Sequence, residues 1–381
     1  MGADLAYDQL YIGGRWVDPA SSSTFVVRSP HDGSTVGSSP VATIADVDRA
    51  VDAARTAFDE GPWPRLPANE RIAAVEPLLV AYAARSDELA ALISCENGSP
   101  LSFSQLGQVG AIPPMVQGYL DATRATAWEE ELPGVFGTSR VWREPVGVVA
   151  AITAWNVPQV LILAKLVPAL LAGCTVVVKP PLETALDALV LAELVDGLDL
   201  PEGVVSIVPG GPEAGERLVA HPDVDKVAFT GSTAVGRHIG AVCGDRLKRA
   251  SLELGGKSAA IVLDDADPER TAAGLRFASF VNNGQACAAQ TRVLAPRARY
   301  VDMVDALAAA VGTFVVGDPL DPATEIGPLV TRRQQDTVLG YIAKGREEGA
   351  KVAVGGKRPA NLPKGYYVEP TISPSASTTS A

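Results

Sequence analysis

The chain has 381 residues, 47% hydrophobic and 20% charged, enough for a sizeable core and about two to three domains. Lys and Arg total 32 against 44 Asp and Glu, a net charge of −12, which argues against nucleic acid or an anionic membrane as partner, since both call for basic patches. Four cysteines, at 95, 174, 243 and 287, form no C-x-x-C pair, and with only His31, His221 and His238 they give no disulfide scaffold, no expected metal site and a poor basis for a Ser-His-Asp hydrolase.

The N-terminus lacks a basic stretch followed by an apolar core, so no signal peptide is read there. With free thiols this predicts a cytoplasmic protein. Residues 1 to about 40 are short β-type runs punctuated by Gly-Gly and Asp-Gly. ADVDRAVDAARTAFDEG then has helical spacing, and two more helical stretches follow, ANERIAAVEPLLVAYAARSDELAALISCENG and about 105–127. ELPGVFGTSRVWREPVG is turn-rich and β-like, an arm or hairpin outside the core.

From Val146 the pattern is α/β. GVVAAITAWN, CTVVVKP, GVVSIVPGG and DKVAFTGS read as strands, separated by helices over Pro158–Leu171, Thr184–Gly197 and Pro212–His221, with Thr233–Val242 after the last. Continuous Val-rich strands alternating with helices are the mark of a parallel sheet covered on both faces. The stretch Val157–Cys174 is broken by two prolines and a lysine, so it reads as a buried helix and a turn, not a membrane span. A second α/β unit starts near Leu254, with helices at Pro268–Asn282, RYVDMVDALAAAVGTF and TRRQQDTVLGYIAKGREEGA, and AKVAVGGK as a further strand. No internal repeat is found, and SPSASTTSA is expected to be disordered.

Ligands of such a sheet bind at the carboxyl ends of its strands. Those ends carry Trp155-Asn156, Lys179-Pro180, Gly210-Gly211 and Thr230-Gly231-Ser232. Asn156 there is either an oxyanion donor or a helix cap. Lys179 is either a contact for ribose or phosphate or a surface lysine. Residues 231–236 form a turn between strand and helix whose amides suit an anion, although G-x-G-x-x-G is absent. Cys287, in VNNGQACAAQTR, has small polar neighbours, unlike a buried structural cysteine; Cys95, Cys174 and Cys243 read as small core residues. Glu253, flanked by Leu252 and Leu254, is either a desolvated base with a raised pKa or an outward carboxylate.

Taken in order, AWNVP, VVVKP, FTGSTAVG, LELGGK and NNGQAC, followed by IGPLV and GYYVEPTI, resemble the aldehyde dehydrogenase superfamily from about residue 8 to 372. The resemblance implies an α/β fold. It would have a Rossmann-type, parallel-sheet NAD(P)-binding domain at 1–127 and 147–254 and an oligomerisation arm at 128–146. An incomplete α/β catalytic domain at 255–372 and a disordered tail at 373–381 would follow. It further implies that Cys287 attacks an aldehyde, that Asn156 holds the oxyanion and that Glu253 activates water. Lys179 would meet the adenosine ribose and Ser232 the pyrophosphate, with Thr153, Trp155, Gly211 and Gly231 as further cofactor contacts. Many NAD-preferring relatives carry Glu three residues after that lysine; here Leu182 stands there, with Glu183 next, so NAD is expected and NADP stays open.

Val157, Gln159, Val160 and Leu163, with Ala286 and Ala288, are expected to line an apolar pocket for a small to medium uncharged aldehyde. A homo-oligomer is expected. The family's E-E-I-F-G-P-type segment does not follow Tyr367–Thr371, so the chain reads as a truncated product with exposed core surface. The alternatives are a CoA-acylating semialdehyde dehydrogenase, which Glu253 argues against, a catalytically inactive form keeping only nucleotide or subunit binding, and a cysteine esterase without redox chemistry.

Overall fold

The computed structural model describes residues 5–374. By internal contacts the chain divides into two compact units. The first holds Gly37–Leu89, Gln108–Leu254 and the described N-terminal residues up to Val27; the second holds Arg28–Val36, Ala90–Gly107 and the chain from Gly255 onward.

The first unit is built on a seven-stranded sheet. In chain order its elements are β1 (Leu10–Ile12), β2 (Arg15–Val17), α1 (Ile44–Asp59), β3 (Val148–Ile152), α2 (Pro158–Leu171), β4 (Thr175–Lys179) and α3 (Ala185–Asp196). They continue with β5 (Val205–Ile207), α4 (Pro212–Ala220), β6 (Lys226–Gly231), α5 (Thr233–Asp245) and β7 (Arg249–Leu254). The strand order is β7-β6-β3-β4-β5-β1-β2, with β7 through β5 parallel and β1 and β2 antiparallel.

The continuous apolar runs became the inner strands, and β3 and β4 are buried along their whole length. Alternate β3 residues Val148, Ala150 and Ile152 join a core with Val47 and Val51 of α1, Leu218 of α4 and Ile239 of α5. Strand alternation then turns Val149 and Ala151 to the opposite face. α1 begins with a capping box, in which Thr43 and Asp46 satisfy each other's backbone amides, and it buries Val47, Ala50, Val51, Ala54 and Ala57.

The sheet exceeds the four strands expected, because RASLEL adds β7 and the N-terminal runs add β1 and β2. The long helical stretch before residue 97 is three helices, Ala68–Val75, Leu78–Ala84 and Ser86–Asn97. Pro77, which lacks an N–H and opens the second of them, accounts for the first break. The stretch after 104 starts as a π-helical turn, Ser104–Gln108, and becomes α-helical over Ile112–Ala125. Glu129–Gly134 and Gly137–Trp142 pair as an exposed antiparallel hairpin, with Val135 and Phe136 bare at its tip.

The second unit has a two-stranded parallel sheet of β8 (Ala259–Ile261) and β9 (Arg292–Leu294), with α6 (Pro268–Phe280), α7 (Tyr300–Gly312) and α8 (Arg332–Glu347). Val262, Ala272, Leu275, Met303 and Leu307 form its core. AKVAVGGK forms no strand: a single bridge joins Val354 to Ile372, and Gly355 and Gly356 both take left-handed backbone that breaks an extended run. Most of the tail expected to be disordered, 375–381, lies outside the described residues. No described helix is long and apolar enough to cross a membrane.

Candidate active site

In the first unit the expected cofactor residues gather at the carboxyl ends of β3, β4, β5 and β6, where the sheet topology puts a ligand crevice. Lys179 ends β4. It is 7% exposed, and its Nζ donates to the Gly210 carbonyl at 2.6 Å and to the Pro180 carbonyl at 3.2 Å. An ammonium has three donors, so one remains for a ligand. Burial pushes Lys179 down to about 8, and the Glu183 carboxylate pulls it back up. The surface-lysine alternative is therefore wrong: the stem runs inward, where Gly215 of α4 faces it.

Thr153 follows β3; its amide donates to the Lys179 carbonyl at 3.2 Å, and its hydroxyl is buried without a partner. Gly211 is the N-cap of α4. Ser232 is the N-cap of α5, with Oγ accepting from the Val235 amide at 3.4 Å, and residues 232–235 are exposed. The glycines flanking this cradle are required by close packing. A Cβ on Gly231 would sit 2.4 Å from the Phe229 ring, and one on Gly236 would sit 2.4 Å from Leu254. An orphaned hydroxyl, an open lysine donor and an exposed helix N-terminus together fit a dinucleotide with sugar hydroxyls and a pyrophosphate.

Trp155 and Asn156 lie half-buried in the loop between β3 and α2. The N-cap of α2 is Val157, which removes the cap role from Asn156. Two residues expected to line the pocket do not. Gln159 and Leu163 are fully buried in the core, and Gln159 Nε2 donates to the Asp187 carbonyl at 2.7 Å.

Of the two readings of Glu253, desolvated base or outward carboxylate, the structure gives the outward one. It is exposed, not desolvated, because β7 is the edge strand of the sheet and Leu252 and Leu254 take the inward positions. In the β6–β7 register it stands opposite Thr230. Thr230 Oγ1 accepts from Lys165 Nζ at 2.6 Å. Burial lowers the pKa of Lys165, and Glu253 raises it again, so the two side chains feel each other. Lys165 was missed in the sequence; the signal was a lone cation inside the apolar run PQVLILAKLVPALL.

In the second unit Cys287 is the exposed cysteine. Burial lifts the thiols of Cys95, to about 11, and of Cys174 and Cys243, which makes them poor nucleophiles. The turn before Cys287 has unusual backbone: Asn282 and Asn283 are left-handed in succession, with φ of 55° and 60°. Side chains hold it there. Ser99 Oγ donates to Asn282 Oδ1. Asn283 Nδ2 donates to the Gly98 and Pro328 carbonyls at 2.8 and 2.9 Å, and Asn283 Oδ1 accepts from the Gly327 amide at 2.6 Å. Gln285 Oε1 accepts from the Val330 amide at 3.1 Å. IGPLV is thus the segment that clamps NNGQ, and strain of this kind, overdetermined by its surroundings, concentrates at functional sites.

Comparison with known proteins gives the family. The sequence profile of the aldehyde dehydrogenase family matches residues 16–380. Geranial dehydrogenase of Castellaniella defragrans is 42% identical over 369 residues, covering 97% of this chain and 77% of that protein. The mitochondrial aldehyde dehydrogenase of Equus caballus is 39% identical over 380 residues, covering 97% of this chain and 74% of the relative. Among solved structures, a Mycobacterium tuberculosis aldehyde dehydrogenase complexed with NAD+ superposes with a TM-score of 0.93 at 47% identity, over 97% of this chain and 77% of the other. Identity at that level across nearly the whole chain, in sequence and fold alike, means that it belongs to the aldehyde dehydrogenase family.

Proposed function

We propose that this chain oxidises an aldehyde to a carboxylic acid with NAD through a covalent intermediate on Cys287. The observation that carries the reading is an exposed thiol at the end of a clamped left-handed turn, in a member of this family whose other three thiols are buried or half-buried. NAD in the Mycobacterium tuberculosis relative supports the choice of cofactor. The first unit, without its hairpin, serves as the nucleotide-binding domain, and the chain from 255 to 372 as the catalytic domain. The hairpin, with bare Val135, Phe136 and Trp142, suits an oligomerisation arm. The acidic surface and the free thiols support a cytoplasmic protein with no nucleic-acid or membrane partner.

The roles follow from the family's motifs on these residues. The Cys287 thiolate adds to the aldehyde carbon, and the oxyanion takes hydrogen bonds from the Asn156 amide and the Cys287 backbone N–H. When bound, the nicotinamide supplies the acceptor for the hydride that leaves that carbon. Glu253 then takes a proton from water as the water adds to the thioester, and the carbon–sulfur bond breaks to release the acid. Its exposure favours a base supplied directly by solvent. Lys165, through Thr230 and the charge of Glu253, is a positioning residue for that carboxylate. Lys179 holds the adenosine ribose and Ser232 the pyrophosphate, with Thr153, Trp155, Gly211 and Gly231 around them.

Absorbance of NADH with a panel of aliphatic and aromatic aldehydes tests the reading. Sustained NADH formation that is lost in Cys287→Ala, with nucleotide binding retained, is the expected result. Undiminished turnover in Cys287→Ala would remove the nucleophile assignment. Acyl-CoA as the sole product in the presence of CoA would replace hydrolysis by acyl transfer, against the role given to Glu253.

A further inference from the structure

Two helices of the first unit open on the same pattern, Thr-x-x-Asp, and use it differently. At α1, Thr43 and Asp46 close a capping box. At α3, Thr184 makes no side-chain cap, and Asp187 has no exposure at all. Gln159 of α2 is equally buried beside it. Gln159 Nε2 donates to the Asp187 carbonyl at 2.7 Å, and the amide acts on the carboxyl as well. Tyr82, in the helix Leu78–Ala84, feels the charge of that carboxyl. Gln159 Oε1, Tyr82 Oη and Thr184 Oγ1 are all buried without a hydrogen-bonding partner. Buried polar atoms are normally paired, so a cluster of this kind calls for an explanation.

An ion pair does not account for it. α2, the helix Leu78–Ala84, β5 and the Leu182–Thr184 turn pack against α3, and their titratable side chains are Lys165, Tyr82 and Glu183. α3 itself adds Glu193 and Asp196. The one cation of this set, Lys165, donates to Thr230. Burial is the leading influence on the Asp187 carboxyl and holds it toward the neutral form, with the Gln159 amide pulling the other way. A neutral acid can donate where a carboxylate cannot, and Gln159 Oε1 is an acceptor without a donor. The two first turns follow site residues closely. Gln159 lies three residues after Asn156, and Asp187 eight after Lys179, with Pro180 and Pro181 stiffening the second link. We propose that the Gln159–Asp187 tie positions the nucleotide crevice, locking the start of α2 against the start of α3 and so setting the spacing of Asn156 and Lys179. This inference rests on the roles given to those two residues in the proposed function.

The test joins NAD calorimetry with urea denaturation across pH on the 381-residue chain. An acid held neutral takes up its proton on folding, so Asp187 makes stability fall as pH rises above the carboxyl's ordinary 3.8. Asp187→Asn, which mimics the protonated acid, should flatten that fall, resist more urea than the unmutated chain at neutral pH, and bind NAD within about twofold of it. Gln159→Leu fills similar space without the tie and should weaken NAD binding about tenfold. Adding Asp187→Leu removes the buried carboxyl and should restore stability but not affinity. Full NAD affinity in either leucine variant reduces the tie to a fold-stabilising contact and overturns the inference. An unchanged pH slope in Asp187→Asn, or a loss of affinity there as large as in Gln159→Leu, overturns it too. Infrared difference spectra give a readout that needs no leucine variant to fold. At neutral pH the unmutated chain should show the carbonyl band of a protonated carboxylic acid that Asp187→Asn lacks, and its absence overturns the inference while the proposed function stands. Failure of the unmutated chain to bind NAD overturns the functional reading, and the positioning role with it.

Discussion

Two sheets of this chain, the seven-stranded one and the β8–β9 pair, position their neighbouring residues by different means. In the first unit β3 and β4 have no exposed residue, and Lys179 and Thr153 are fixed by lying at or just past the ends of strands that are buried throughout. In the second unit β8 and β9 have three residues each, and Ile261 and Leu294 are 71% and 50% exposed. A pair so short and so little covered cannot hold the Cys287 loop by burial. Cys287 is held by side-chain amides instead, those of Asn282, Asn283 and Gln285. A sheet can therefore aim ligand-binding groups wherever its strands end, whereas a thin sheet leaves the aiming to polar clamps.

Substitutions can break that contrast. The largest expected effect is in the first sheet: Val177→Asp places a charge at a position with no exposure and should cost more than about 4 kcal/mol in urea denaturation, enough to unfold the unit. Ile261→Asp on the second sheet should cost less than about 1 kcal/mol. Similar costs at the two positions would erase the distinction. Next comes the clamp. Asn283→Ala removes a donor from two carbonyls and an acceptor from one amide, and leaves alanine at φ of 60°. A loss on the order of 2–3 kcal/mol is expected. It should be read with a changed alkylation rate of Cys287 and a fall in turnover, while nucleotide binding stays. Thr43→Ala, which removes half of the capping box of α1, should cost about 1 kcal/mol and touch neither nucleotide binding nor thiol reactivity.

The smallest effect is a pH dependence at the end of β4. Lys179 has an ordinary value of 10.5 and is held at about 8 in the fold. Between these values the unfolded chain binds more protons, so this residue makes stability rise with pH from 8 to 10.5. Nucleotide affinity should move the other way, falling a few-fold above pH 8 as the third donor of the ammonium is lost. Lys179→Met should abolish the pH trend in affinity and bind weakly throughout; a trend that survives would assign it to another group.

Much of this was legible in the sequence because the chemistry sits at the ends of strongly patterned elements. Pro158 and Leu171 bound α2 as read, and VVVKP became a buried strand ending in Lys179. What escaped depends on long-range placement. Alternation shows that Glu253 points opposite to its leucines, but not that β7 lies at the sheet edge, and the edge decides its exposure. Gln159 and Leu163 follow Asn156 in sequence, yet the helical turn carries them into the core. AKVAVGGK has strand composition without a neighbouring strand to complete a ladder. Lys165 escaped because its partners, Thr230 and Glu253, come from distant strands.

The clamp on Asn282 and Asn283 also has a kinetic meaning. Its partners come from residues 98–99 and 327–330, far apart in the chain. Loops of that length close late, after local helices have formed. The native geometry of the Cys287 turn should therefore be among the last features to appear on refolding, lagging the recovery of helical circular dichroism. Until then the turn before Cys287 is unset, and a partly folded chain does not present that thiol in its native geometry.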